Sequence, residues 1–346
     1  MSKKKNFDNI KDKVKALRAD EPIGDFPWWD PSKDVKQDEV KLHISLPTYD
    51  NSVSLLQDGG LRTALMGSAL KEKLKVEFNF CGNDSLICRA RDKLAASFLA
   101  SDCEWQLQLD NDIIFPYGMG PELAQFYANW MDRETFDLFL NEGVFKHALQ
   151  LNAIDEILRS GISDNKKIVG GFYFWRGGER NFNQAGSIVE QELQGKNQTL
   201  EFKLREDNYL VTDKISTGFL LVHRSVYEAI EKKYPELSYE VPPLIPDTPT
   251  HAYYTPNITE EEMKGPGYPE GKFNFYRSED YAFAWRAKQC GFDPCLNLNI
   301  LLGHLGKTIY SWFDRPVLQR ALLELYDNPQ HGIERIRYVK EDSTDK

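Results

Sequence analysis

Apolar residues first crowd together at 41–49 (KLHISLPTY), a run that ends at Pro47 and predicts a buried strand. Upstream, 1–40 are rich in lysine and aspartate and lack a continuous apolar face, which predicts a solvated arm with a short helix near 8–19. FPWWDP (26–31) pins that arm to the body through its aromatic rings. The spacing turns helical over 61–74 (LRTALMGSALKEKL), and KVEFNFCG (75–82) is a second strand. Asn83, Asp84 and Ser85 are N-cap residue types, and Leu86, Ala90, Leu94 and Phe98 follow at i, i+4 spacing, so an amphipathic helix starts here. WQLQLDND (105–112) is the third strand. Strands alternating with helices at this pitch predict an α/β fold with a mixed, mainly parallel sheet flanked by helices.

The second half is less regular. Residues 116–165 are rich in Leu, Phe and Ala and predict a helical insertion, after which KKIVGGFYFWR (166–176) returns to strand. The stretch 181–216 suggests hairpins, and 217–234 (TGFLLVHRSVYEAIEKKY) gives a strand followed by a helix. Pro, Gly and Thr make 241–272 a long loop, of a length that is either functional or disordered. RSEDYAFAWRAKQCGF (277–292) is a helix with Ser278 at its N-cap and Gly291 as its stop. CLNLNILLGHLG (295–306) is the last strand, 314–346 a C-terminal helix and tail, and the charge after about 335 frays the end.

Chemistry gathers at a few of these positions. Asp110 and Asp112, at strand period two, point to one side where the third strand runs out. Ligands of open α/β sheets collect beyond such carboxyl ends, and two carboxylates there invite a hard cation, Mg²⁺ or Mn²⁺. The same triplet also caps ordinary turns. Glu279 and Asp280, in the first turn of their helix, suit the helix dipole and could equally serve as a general base or hold an acceptor hydroxyl. His304, between glycines after an apolar strand, is a nitrogen ligand that favours Mn²⁺ over Mg²⁺, or a structural histidine. Arg89 and Arg91 are solvated surface residues or grip a diphosphate or a base, Gly218 and Gly170–Gly171 relieve crowding near strand ends or let backbone approach a ligand, and FYFWR (172–176) reads as core packing, with Trp175 able to stack on a sugar.

Charge and cysteines narrow the setting. The net charge of −10 argues against a general nucleic-acid coat, though Lys232–Lys233, Arg176, Arg180 and the N-terminal lysines could form a local groove. Five cysteines without a CxxC pair argue against a disulfide framework. No apolar stretch is long enough to span a membrane and no apolar leader is present, so a cytoplasmic protein of a bacterial cell or phage-infected host is expected.

In this order the motifs resemble a metal-dependent, D-x-D glycosyltransferase of the GT-A, Rossmann-like fold. SLPTYDN looks like the family's nucleotide-sugar opening, RARDKLAASFLAS…WQLQLDND its Arg-bearing helix and D-x-D strand, STGFLLVHRSVYEAI its acceptor-side strand and helix, RSEDYAFAWRAKQCGF its Glu-Asp helix, and LLGHLG its late histidine. The resemblance implies a single domain in two halves, 41–115 binding the nucleotide sugar and 166–313 the acceptor. It implies Thr48, Tyr49, Asp50, Asp84, Arg91 and Asp110 around a nucleotide-diphosphate sugar, and Asp110, Asp112 and His304 around Mn²⁺ or Mg²⁺. Glu279 or Asp280 would contact or deprotonate the acceptor, with the stereochemical course open. The small form is similar to phage-encoded enzymes that glycosylate hydroxymethylated pyrimidines in DNA, which makes DNA one candidate acceptor beside a glycan, protein or lipid-linked hydroxyl. A nucleotidyltransferase would want a Gly- and Lys/Arg-rich phosphate loop that LPTYDNSVS lacks, and a sugar-binding module would need no metal.

Overall fold

The computed structural model describes residues 39–49, 52–118, 151–173, 198–204, 209–211, 215–240, 250–263, 271–305, 309–310 and 333–340. The predicted arm with its FPWWDP anchor, Asp50, Trp175, Arg176 and Arg180 lie outside the described residues. The first half runs β1 (Val40–Thr48), α1 (Leu55–Met66), β2 (Leu74–Gly82), α2 (Ile87–Ala100), β3 (Trp105–Leu109) and β4 (Ile113–Ile114). After it come α3 (Ala153–Ile162), β5 (Ile168–Phe172), β6 (Gln198–Leu204), β7 (Tyr209–Val211), β8 (Phe219–His223) and α4 (Arg224–Lys233). The rest is β9 (Ser238–Tyr239), β10 (Thr250–His251), β11 (Asn257–Met263), β12 (Gly271–Arg277), α5 (Glu279–Gln289), β13 (Cys295–Leu301), β14 (Gly303–Leu305), β15 (Ile309–Tyr310) and β16 (Ile333–Lys340).

The central sheet has seven strands in the order β2-β1-β3-β8-β5-β13-β7. β1 pairs in parallel with β2 and β3, and β13 in parallel with β5, while β8 and β7 run against their neighbours. β2, β1, β3, β5 and β13 therefore share one direction, a mixed α/β sheet that is mostly parallel. Helices cover both faces. Leu61 and Ala64 of α1 and Ile154, Ile157 and Leu158 of α3 meet Leu42, Ile44, Leu107 and Leu221 on one side. Ala95 and Phe98 of α2, Val226 and Ile230 of α4 and Phe283 and Ala287 of α5 meet Leu220, Val222 and Leu296 on the other. Burial on both faces explains why β1 reads as a nearly continuous apolar run.

Several boundaries differ from expectation. The first helix spans Leu55–Met66 rather than 61–74, because Ser54 Oγ caps it by accepting Gln57 N–H at 3.0 Å and Gly67 ends it. The N-cap of α2 is Leu86, without a side-chain cap, while Asp84 accepts the Leu86 N–H at 3.1 Å. Within the predicted insertion, α3 is a core helix capped by Asn152, whose Oδ1 accepts from Ile154 N at 3.0 Å. The long loop contains the antiparallel hairpin β11–β12, hidden in the sequence because Glu260, Glu261 and Glu262 break its apolar pattern. Among the described residues of 181–216, β6 and β7 do not pair with each other. β6 pairs in parallel with β16, from the tail expected to fray, and β7 extends the main sheet. The Ser278 N-cap and the stop at Gly291, whose φ of +89° suits glycine, are as predicted. The five cysteines are free thiols.

Candidate functional site

The carboxyl ends of β1, β2, β3 and β5 and the start of the reversed β8 meet at one edge of the sheet, where a cavity of about 410 Å³ opens. Its floor is the acidic turn. β3 stops at Leu109; the Asp110 amide then donates to Gly218 O at 2.9 Å, and Ile113 N donates back to Asp110 O at 3.3 Å. The two aspartates thus sit on a tight turn, not on a continuing strand, and the period-two argument does not place them. A small antiparallel sheet, β15-β14-β4, does so instead. Ile113 pairs with His304, and Leu305 N donates to Asp112 O at 2.7 Å. His304 Nε2 consequently faces Asp112 Oδ1 at 3.4 Å, with both side chains largely buried. Asn111 Nδ2 ties the turn to Ser52 O at 3.1 Å.

Arg91 reaches the turn from α2. Its fully buried guanidinium donates to Asp110 Oδ1 at 2.7 Å and to Gln108 Oε1 at 3.4 Å. Burial alone would lower its pKa, but the facing Asp110 carboxylate outweighs that and holds it charged. Asp84 also lines the cavity yet is neutralised by Arg89, at 2.7 Å, and Lys93, at 2.8 Å. Arg89, first among several opposing and supporting causes, draws the Asp84 pKa far down. Neither arginine is therefore a free diphosphate grip: each already holds a carboxylate. Thr48 is buried at the end of β1, whereas Tyr49 is 76% exposed at the rim, free to stack against a flat ring.

Beside the turn, Gly218 and Tyr173 close the wall. Gly218 N donates to Tyr173 Oη at 2.9 Å. A Cβ on Gly218 would lie 2.3 Å from that hydroxyl and 3.0 Å from Asp110 Oδ2, so only glycine fits. Burial, then the nearby Asp110 and Asp280 carboxylates, push the Tyr173 pKa well above its usual value, keeping the phenol protonated. At the N-terminus of α5, Asp280 Oδ1 accepts from Ser278 Oγ and from Tyr281 N, the latter at 2.8 Å. Burial raises the pKa of Asp280; burial and then the Asp280 charge raise that of Glu279.

The cavity thus gathers Thr48, Tyr49, Asp84, Arg91, Asp110, Asp112, Glu279, Asp280 and His304, the described residues that the resemblance implied, whereas Arg89 does not line it and Gly170 and Gly171 pack against core side chains. Ser216, Thr217, Tyr173 and Cys81 also line it. Tyr173 lies in the apolar, aromatic stretch FYFWR, whose pattern points to core packing, and only its position just past the end of β5 sets it apart. Asp112 and His304 converge as a carboxylate–imidazole pair, but Asp110 does not join them in a set with ligand atoms within 4.8 Å of one another. Octahedral Mg²⁺ and Mn²⁺ commonly take one or two protein ligands and complete their shell with water and phosphate oxygens. The donor set of Asp112 and His304 fits such an ion, and the nitrogen favours Mn²⁺. Among the described residues the group of three metal-type side chains that does converge is Glu77, Asp102 and Cys103, near the opposite edge, where Lys41 already pairs with Asp102. Lys232 and Lys233 end α4, and Lys233 Nζ donates to Gln289 O at the end of α5 remote from Glu279. That pair does not border the cavity.

No family model and no curated protein matches this chain. A solved structure described as the crystal structure of A197 from STIV is similar over 77% of this chain and 86% of that one, at 11% identity and a TM-score of 0.34. A likeness at that level carries no argument about the fold or the chemistry. Among the described residues no helix is long and apolar enough to cross a membrane.

Proposed function

We propose that the chain is a metal-dependent glycosyltransferase of GT-A type, moving a sugar from a nucleotide-diphosphate donor to an acceptor hydroxyl. One observation carries this: Arg91–Asp110, the Asp112–His304 pair and Glu279–Asp280 come from distant parts of the chain and line one cavity at the carboxyl edge of a mostly parallel sheet. Asp112 and His304 would hold a divalent cation, which would neutralise the negative charge that a departing nucleoside diphosphate acquires. The protein's own residues do the rest. Tyr49 offers its exposed ring at the rim to the nucleobase, and Thr48 flanks it. Arg91 holds Asp110 in place beside the ribose and sugar, and the acidic walls favour a sugar carbon with oxocarbenium character.

Asp280 is the base. Its Oδ1 is occupied by Ser278 and Tyr281, which leaves Oδ2 to take the acceptor proton, and burial, by raising its pKa, makes it a stronger base than an ordinary aspartate. Glu279 binds the acceptor hydroxyl beside it. A thermal-shift screen of nucleotide sugars with and without Mn²⁺ tests the assignment. Stabilisation by one diphosphate sugar only when metal is present supports it, by roughly 2.7 kcal/mol at a hundredfold excess over Kd. A flat response to every donor and metal combination rejects it. Hydroxymethylated DNA and oligosaccharides are then assayed side by side as acceptors of the donor so identified.

A further inference from the structure

Tyr173 is a buried aromatic residue at the mouth of β5, set among charged groups, and a residue chosen only to fill space there would not need a hydroxyl. Two contacts mark it. Its ring meets the His304 imidazole edge to face, with centroids 5.3 Å apart and planes at 83°. Its hydroxyl accepts the Gly218 amide proton at 2.9 Å, on the wall where Asp110 Oδ2 also presses. His304 is only 8% exposed at the side chain, so protein packing and not bulk water sets the orientation of its ring. The backbone pairing of β14 with β4 fixes the histidine Cα, but χ1 and χ2 remain to be chosen. The tyrosine ring packed against the imidazole narrows the space in which it can turn.

We infer that Tyr173 is a positioning residue for cation binding: its ring aims His304 at Asp112. The inference rests on the metal-dependent reading above and assigns a task to a side chain outside the ligand set. Because Tyr173 acts through His304, its removal and that of His304 should not add.

Mn²⁺ alone is titrated into the full chain and followed by loss of the free-ion electron paramagnetic resonance signal. Tyr173→Phe, which keeps the ring, should hold Kd near the wild-type value, whereas Tyr173→Leu should weaken it about fivefold. Tyr173→Leu combined with His304→Ala should bind no more weakly than His304→Ala alone, a non-additivity that a general loss of stability would not produce. An unchanged Kd in a folded Tyr173→Leu variant, or additive losses in the double variant, overturns the inference. Should the wild-type protein take up no Mn²⁺, the metal-dependent reading falls, and the positioning role is decided separately by the His304 Cε1–H resonance. That resonance should stay in place in Tyr173→Phe and move in Tyr173→Leu. If it stays in place in both, the ring does not position the histidine.

Discussion

At the scale of single residues, the site is a set of charges whose partners decide what each can do. Arg91 is buried and Asp110 about one-third exposed, so losing one is not the same as losing the other. Asp110→Ala strands a guanidinium in the core and should cost about 3 kcal/mol in urea denaturation, while Arg91→Met leaves a carboxylate that water can reach and should cost less. Equal costs would mean that the pair is not the buried anchor described. Asp92, the next residue along α2, is also buried; it accepts from Tyr254 N at 3.0 Å and from Tyr239 Oη at 3.3 Å. Burial lifts its pKa from 3.8 to about 7 despite those bonds. The folded protein therefore holds a proton there that the unfolded chain releases, and stability should fall as pH rises from about 4 to about 7. Asp92→Asn should flatten that part of a pH series of melting temperatures; an unchanged slope would place its origin elsewhere. Acid pairs such as Asp110–Asp112 and Glu279–Asp280 are visible in a sequence. Which of them is already engaged is not, because Arg89, Arg91 and Lys93 differ only in where the helix turns them.

At the scale of elements, the match between pattern and structure depends on how many faces are buried. β1, β2, β3 and α5 were legible because their periodicity and caps agree with their surroundings. The Gln106 and Gln108 alternation in β3 looks like a half-exposed strand, yet both glutamines are buried, and Gln106 Nε2 donates to Ser45 Oγ at 2.7 Å and to Leu94 O at 3.1 Å. Side chains that find buried partners imitate solvent-facing ones in a one-dimensional pattern. The hairpin β11–β12 was missed for the converse reason, since its glutamates pair across strands and with Arg277 and Lys272. The flanks of the acidic turn show what a strand of two residues can do. Ile113 and Ile114 carry almost no secondary-structure signal, yet their pairing with β14 brings the histidine to the aspartate. Gly218→Ala tests the wall beside that turn. The added methyl meets the Tyr173 hydroxyl and Asp110 at once, so the melting temperature should drop by several degrees and donor binding should be lost with it. A variant that melts and binds normally would show that this wall is not tightly packed.

At the scale of the whole molecule, a sheet buried on both faces holds five parallel strand ends, and its reversed fourth strand delivers Gly218 to the same edge. A buried polar chain from Ser45 through Gln106 and Tyr227 to Tyr254 ties β1 and β3 to α4 and to the segment after β10. Tyr227 and Tyr254 lie 2.7 Å apart at their hydroxyls. The alternation of strands and helices foretold the layered architecture; the long-range cross-links did not show, because side-chain partners 100 residues or more apart leave no periodic trace. The same separation makes the convergence of residues from Thr48 to His304 in one cavity the central observation, and it is tested most directly by donor turnover. Release of nucleoside diphosphate is measured for wild type, Asp112→Asn and Asp280→Asn across a panel of nucleotide sugars with Mn²⁺. One donor should be cleaved by the wild type, at least about a hundredfold more slowly by either variant, and not at all once the metal is chelated. Cleavage of that donor by Asp112→Asn at the wild-type rate, or undiminished by chelation, would contradict the assignment.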